Sequence, residues 1–104
     1  MKIALMVDSK NISKEICKTT EIQVFEVEKN KVKSKIKIDT TAGGGYEGLL
    51  YILYNEGVEV VLCGELQEDE KKDFMNYGLK VFSGAKGNPN KTLNAYMKYL
   101  IRES

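Results

Sequence analysis

Between residues 31 and 53 the spacing of apolar side chains changes from every second residue to every third or fourth, and a run of glycines, Gly43 to Gly45, stands at the change. In KVKSKIKID (31–39), Val32, Ser34, Ile36 and Ile38 alternate with Lys31, Lys33, Lys35 and Lys37. A period of two predicts a strand with one packed and one wet face, at or near a sheet edge. Beyond the glycines, Tyr46, Leu49, Leu50 and Leu53 fall on one face of a helix that Gly57 closes. A strand followed through a glycine turn by an amphipathic helix is the repeating unit of an α/β fold.

The flanking segments extend that pattern. KIALMV (2–7) is an apolar run of strand length, ended by Asp8-Ser9. In the polar stretch SKNISKEICKTTE (9–21), Ile12 and Ile16 stand four apart, which predicts one or two helical turns. IQVFEVE (22–28) and the strand 31–39 form a hairpin about Lys29-Asn30. VEVVLC (58–63) is a β-branched strand, and LQEDEKKDFMNYG (66–78) is a short solvated helix with Leu66, Phe74 and Tyr77 as its buried contacts. Its acids Glu68, Asp69 and Glu70 precede Lys71 and Lys72, as the helix dipole favours. LKVFSG (79–84) is the last strand, and Asn88-Pro89 opens a final helix striped by Leu93, Tyr96, Met97, Leu100 and Ile101. The order predicts a mixed five-stranded sheet with helices on its faces, in which strand 22–28 runs antiparallel to the other four.

Length and charge narrow the function. A chain of 104 residues makes one domain, spanning 1–104. Sixteen Lys and Arg against fifteen Asp and Glu leave no bulk field to draw nucleic acid or membrane, and neither is expected as a partner. The opening apolar run is too short for a secretory leader and no segment is long enough for a bilayer span, so the expected location is the cytoplasm. Two cysteines, Cys17 and Cys63, suit a reducing compartment. There is no histidine, which removes imidazole from any acid–base or metal chemistry.

The predicted topology brings Asp8-Ser9, Gly43–Gly45, Cys63-Gly64-Glu65 and Ser83–Gly87 to one carboxyl edge of the sheet, where ligands of open α/β sheets sit. Gly43, Gly45 and Gly48 spell G-x-G-x-x-G, with Glu65 22 residues beyond the first. A dinucleotide site needs a doubly buried strand before that turn, and four lysines on one face of 31–39 exclude one. Two readings of the glycines stay open: they only permit positive φ and close packing, or their amides seat an anion or electron-rich ligand. Cys63 is either a thiolate ligand for iron or a small buried apolar residue. Cys17 joins it only if the 9–21 segment folds over the same edge. Two cysteines do not complete a four-thiolate site. Asp8 and Glu65 invite a two-metal nuclease reading, but no third carboxylate joins them. The lysine row has no interleaved aromatics to stack bases and reads as an edge guard. Lys86, in a glycine loop at the rim, either neutralises an anionic ligand or faces water.

With the elements placed, nearly the whole chain resembles the dinitrogenase iron–molybdenum cofactor biosynthesis family. The resemblance rests on MKIALMVDS, on AGGGYEGLLYILYNEGVEVVLCGELQEDEKKDFMNYGLKVF and on SGAKG. Ile12-Ser13, Gly57-Val58, Gly64, Gly78-Leu79 and Gly84-Ala85-Lys86-Gly87 fall in register with the family pattern, while ICKTTE replaces its FGRA-like segment. The resemblance implies a ribonuclease H-like, three-layer α/β domain. It further implies a non-enzymatic carrier of an iron–sulfur or iron–molybdenum cluster, working with protein partners in cofactor assembly or trafficking. Cargo would be held by Gly43, Gly44, Gly45, Gly64, Gly84, Lys86 and Gly87, with Cys63, and more remotely Cys17, as metal ligands. The alternative is a module that binds an anionic, phosphorylated small molecule or a protein without metal. A metal-dependent hydrolase is the third reading.

Overall fold

The computed structural model describes residues 1–41 and 44–103. Its strands are β1 (Lys2–Asp8), β2 (Asn11–Ile12), β3 (Glu21–Glu28), β4 (Lys31–Asp39), β5 (Val60–Leu62) and β6 (Lys80–Phe82). Its helices are α1 (Gly45–Asn55), α2 (Glu68–Asn76) and α3 (Pro89–Glu103). The opening apolar run becomes the central strand, because a strand covered on both faces needs apolar side chains at successive positions; Ile3 to Val7 are all fully buried. The sheet order is β4-β3-β1-β5-β6, with β2 paired to the end of β1. β1 is antiparallel to β3 and parallel to β5, β3 is antiparallel to β4, and β5 is parallel to β6. Four long-path strands therefore share one direction and β3 opposes them, as predicted, but the sheet has six strands rather than five.

Side chains alternating along β1 feed two cores. Ala4 and Met6 pack with Leu49, Leu50 and Leu53 of α1 and Phe74 of α2. Ile3, Leu5 and Val7 pack with Leu93 and Tyr96 of α3. Tyr46 and Ile52 add to the first core, so the predicted face of α1 holds. Three expectations are corrected at the periphery. Tyr77 is exposed rather than buried and meets Tyr54 edge-on at 6.0 Å between ring centroids. Ile101 is also exposed. On β4, the edge strand of the sheet, Val32 and Ile36 are 46% and 44% exposed. A bulge between Glu26 and Val27 further breaks the predicted alternation: Ile36 and Ile38 oppose Val24 and Ile22, whereas Val32 opposes Val27 of the α3-side core.

The largest departure is in residues 9–21. Ile12 and Ile16 do not share a helix face. Ile12 lies in β2 and is buried in the α3-side core, while Ile16 opens a 3-10 turn (Ile16–Lys18) and is buried in the core on the other side. The segment is a strap that crosses the carboxyl end of the sheet from one face to the other. Backbone bonds hold it: Ile12 donates to Gly87, Ser13 to Met6, and Glu65 to Lys14, at 2.8, 2.9 and 2.9 Å. A one-residue parallel bridge joins Glu15 and Glu65. The hydroxyl of Thr19 donates to that of Ser13 at 3.0 Å, pairing two buried polar side chains across the bend.

The strap fits only because residue 64 has no side chain. A Cβ there would collide with the Ser13 carbonyl oxygen and come within 2.8 Å of that of Lys14, both backbone atoms. Gly57 is different: it adopts φ +73° in open space. Gly64→Ala is expected to destabilise by about 3 kcal/mol, in the overpacking range. Gly57→Ala should cost about 1 kcal/mol, the price of positive φ alone. Urea unfolding of the two variants checks this order.

Candidate functional site

The strap turns the carboxyl rim into a cleft. Between the strap, the loop after β5, the start of α2 and the end of β6 lies a cavity of about 440 Å³. Glu15 and Cys17 line it from the strap, Glu65 to Gln67 and Glu70 from the α2 side, and Ser83 and Gly84 from the end of β6. Gln67 and Glu70 form a capping box that fixes this wall, with the Gln67 amide donating to Glu70 Oε1 at 2.8 Å. Glu15 is an exposed partner of Lys18, at 3.6 Å. Glu65 is exposed too. The cleft therefore offers one accessible thiol, a hydroxyl and three carboxylates. Its carboxylates oppose the charge of a phosphate.

Its two cysteines differ sharply. Cys17 is exposed on the cleft wall. Cys63, 1% exposed, ends the apolar strand run and belongs to the core on the α1 and α2 face. Burial pushes its thiol up to about 12, with Glu70 adding to the shift and Lys71 opposing it. Its backbone is fully engaged, the amide donating to Phe82 at 3.1 Å and the carbonyl accepting from Ala85 at 3.0 Å. Thiolate, not thiol, is the ligating and nucleophilic form. Geometry thus favours Cys17 over Cys63 as the reactive sulfur, the reverse of the order expected from sequence.

The other predicted residues divide between rim and scaffold. Gly64 and Gly84 stand at the cleft, but the Gly84 amide donates to the Gly64 carbonyl at 2.9 Å, and the space over Gly64 holds the strap. The Gly87 carbonyl accepts from Ile12, and Lys86 is exposed. Gly44 and Gly45 adopt φ +91° and +54° at the start of α1, whose N-cap, Gly44, has no side chain to close it. Neither lines the cleft. Gly43 lies outside the described residues. Asp8 accepts from the Thr20 hydroxyl at 3.4 Å, and among the described residues no group of three or more Cys, Asp or Glu is set to hold a metal ion. Ser83 stands at the rim as the topology predicted, whereas Glu15, Leu66, Gln67 and Glu70 were not foreseen in the site. Their signal was the strap, hidden because an i, i+4 isoleucine pair also fits a helix.

The family described as dinitrogenase iron-molybdenum cofactor matches residues 1–99. None of the curated protein sequences matches. Among solved structures, the fold is shared with PH0822 at TM-score 0.84 and 18% identity, over 94% of this chain and 91% of that one. It is shared with a candidate dinitrogenase from Methanocaldococcus jannaschii at TM-score 0.77 and 20% identity, over 94% and 88% of the two chains. The apo form of the orange protein from Desulfovibrio gigas gives TM-score 0.73 and 16% identity, over 95% and 86%. No helix among the described residues is long and apolar enough to cross a membrane.

Iodoacetamide at pH 8 is expected to label Cys17 in the native protein and Cys63 only after unfolding, as peptide mass mapping would read out. The raised Cys63 value also carries a pH signature. The unfolded chain loses this proton near its ordinary 9.0 and the folded chain near 12. Stability from this group is thus complete below pH 9 and falls through the window up to 12, by about 1.4 kcal/mol per pH unit. Cys63→Ala should remove that slope when denaturation curves of the two proteins are compared across the window.

Proposed function

The chain belongs to the dinitrogenase iron-molybdenum cofactor family, and from that premise we propose that it is a non-enzymatic carrier of an iron–sulfur or iron–molybdenum type cluster. The cluster is cargo, held at the strap cleft and passed between protein partners in cofactor assembly or trafficking in the cytoplasm. The observation that carries this reading is the cleft's donor set, an exposed thiol beside carboxylates at the rim where ligands of such sheets bind. Iron accepts both donor types: thiolates are the usual cluster ligands, and carboxylates hold iron in helical-bundle sites. The phosphoryl group of a phosphorylated ligand would be repelled by the same carboxylates, so the metal reading fits this cleft better. The strand order and the helices on both faces support treating the domain as a ribonuclease H-like, three-layer fold.

Cys17 is the thiolate in this reading, with Glu15 and Glu65 as accessory oxygens. A single thiolate, with no preformed group of three ligands among the described residues, suits loose capture and release rather than permanent residence. The amides of Gly44 and Gly45 and the Lys86 ammonium, outside the cleft lining, are then available to guide approach rather than to ligate. Buried Cys63 supports the fold beneath the cleft.

Anaerobic reconstitution with iron and sulfide tests this. The native protein should develop sulfur-to-iron charge-transfer absorbance with stoichiometric iron. Cys17→Ser should lose most of it, and Cys63→Ser should retain it. Absence of the absorbance in the native protein, or its full survival in Cys17→Ser, would sink the carrier reading.

A further inference from the structure

The sheet ends at β4 in a bare edge. Its only strand neighbour is β3, and eight of its nine residues are exposed. The pairing along β3 fixes which backbone groups of β4 face outward. The Val27 amide donates to the Met1 carbonyl on the β1 side, and the Thr20 carbonyl accepts from the Thr40 amide on the β4 side. Bonding sides alternate along an antiparallel strand, so Ile22, Val24 and Glu26 turn to their partners Ile38, Ile36 and Ser34. The amides and carbonyls of Lys35, Lys37 and Asp39 therefore point away from the sheet, with no strand among the described residues to receive them.

Side chains along this edge restrict what can pair with it. Lys35 opposes Phe25 and stands with Lys37 on the α3 face, whereas Ile36 and Ile38 oppose Val24 and Ile22 on the other. Among the described residues no β4 lysine is in an ion pair. The Asp39 carboxylate is engaged, accepting from the Thr41 amide and hydroxyl at 2.8 and 2.6 Å. The bulge at Glu26/Val27 takes residues 31–33 out of this alternation, which limits regular pairing to residues 34–39. A second copy of the chain is a poor match. Two-fold antiparallel registers that keep Lys35 and Lys37 within the ladder set lysine opposite lysine, and like charges directly opposite are destabilising.

We infer that this edge takes up an extended acidic segment of a partner protein, antiparallel to β4, with acids opposite Lys37 and Lys35 and apolar residues opposite Ile38 and Ile36. Main-chain bonds to Lys35, Lys37 and Asp39 hold the segment, and its alternate side chains select it, the mode of strand addition to an open sheet edge. From its amino end the segment reads apolar, acidic, apolar, acidic. On its other side β4 already meets the apolar half of that pattern, in Ile22 and Val24 of β3. The lysines thus act in two directions: they oppose a second copy and attract an acidic strand, while Lys31 and Lys33 remain edge guards. No residue of β4 lines the cleft, so the inference does not rest on cluster binding.

Amide NMR of the full chain tests it, with a short capped peptide carrying Ile-Glu-Val-Glu as the probe. Lys35 to Asp39 should shift saturably, and exchange of the outward Lys35 and Lys37 amides should slow at least ~10-fold in the saturated complex. N-methylation of the peptide at its first Glu keeps the charge and removes the donor to the Lys37 carbonyl. That peptide, and the charge-reversed Ile-Lys-Val-Lys, should each bind at least ~10-fold more weakly. Lys35→Glu/Lys37→Glu should reverse the preference and take the lysine peptide, which an unfolded variant would not do. Non-saturable shifts, unslowed exchange, or equal binding of either control peptide by the native chain would overturn the inference, as would no reversal in the folded double variant. Concentration-dependent shifts at Lys35 to Asp39 without peptide would also overturn it, by assigning the edge to a second copy. Iron capture at Cys17 is untouched by each of these outcomes.

Discussion

A backbone crossing with no room for a methyl group governs this molecule. The strap passes over the end of β5 so closely that its Ser13 and Lys14 carbonyls occupy the volume a side chain at residue 64 would need. Everything at the rim follows from that approach. The Glu65 amide reaches the Lys14 carbonyl, Glu15 and Cys17 are carried to the mouth of the cleft, and the ends of β1, β5 and β6 are tied to one another. A glycine that sequence reading assigned to ligand contact is thus occupied by the protein itself, and its contribution to the site is to bring the strap into place.

The strap's anchors decide how the cleft can behave. Ile12 is buried in one core and Ile16 in the other, and each buried isoleucine is worth about 1.5–3 kcal/mol. Together with the Ser13–Thr19 pair, lifting the strap would forfeit roughly 4–7 kcal/mol, a large part of the about 5–15 kcal/mol that stabilises an ordinary domain. Opening the strap is therefore costly. A guest must enter and leave by the open mouth, past exposed side chains. An exposed thiol at that mouth, in contrast to a thiol sealed in the core, is the arrangement that exchange with a partner demands.

The sheet was legible because its signals were local and redundant. The apolar run 3–7 has one good fate, a doubly covered strand, and the switch in period around Gly44 and Gly45 marks β4 and α1 without help from the rest of the chain. The reversed direction of β3 followed from hairpin and crossover connections alone. What was not legible depends on long-range contact. Ile12 and Ile16 carry the spacing of a helix, yet a tertiary bond from Ser13 to Met6 and the bare Gly64 surface beneath make a strap more favourable there. The bulge opposite Val27 inverts the outer end of β4 for a similar reason: alternation in the sequence says nothing about register against a partner. Of the two readings of Cys63, burial is the one the fold bears out, and sequence could not decide it because the end of a strand looks the same whether or not a neighbouring element covers it.

The near-neutral net charge of +1 conceals a division of sign across the sheet. Glu15, Glu65 and Glu70 gather at the cleft beside α2, and Lys10, Lys35 and Lys37 gather on the α3 face. The two groups lie on opposite faces, so each presents its own sign to the solvent on its side. The sheet is the partition between these two surfaces, and the strap and the stretch after β6 both reach across its end, since Lys10 and Asn88 lie on one side while Glu15, Cys17 and Ser83 lie on the other.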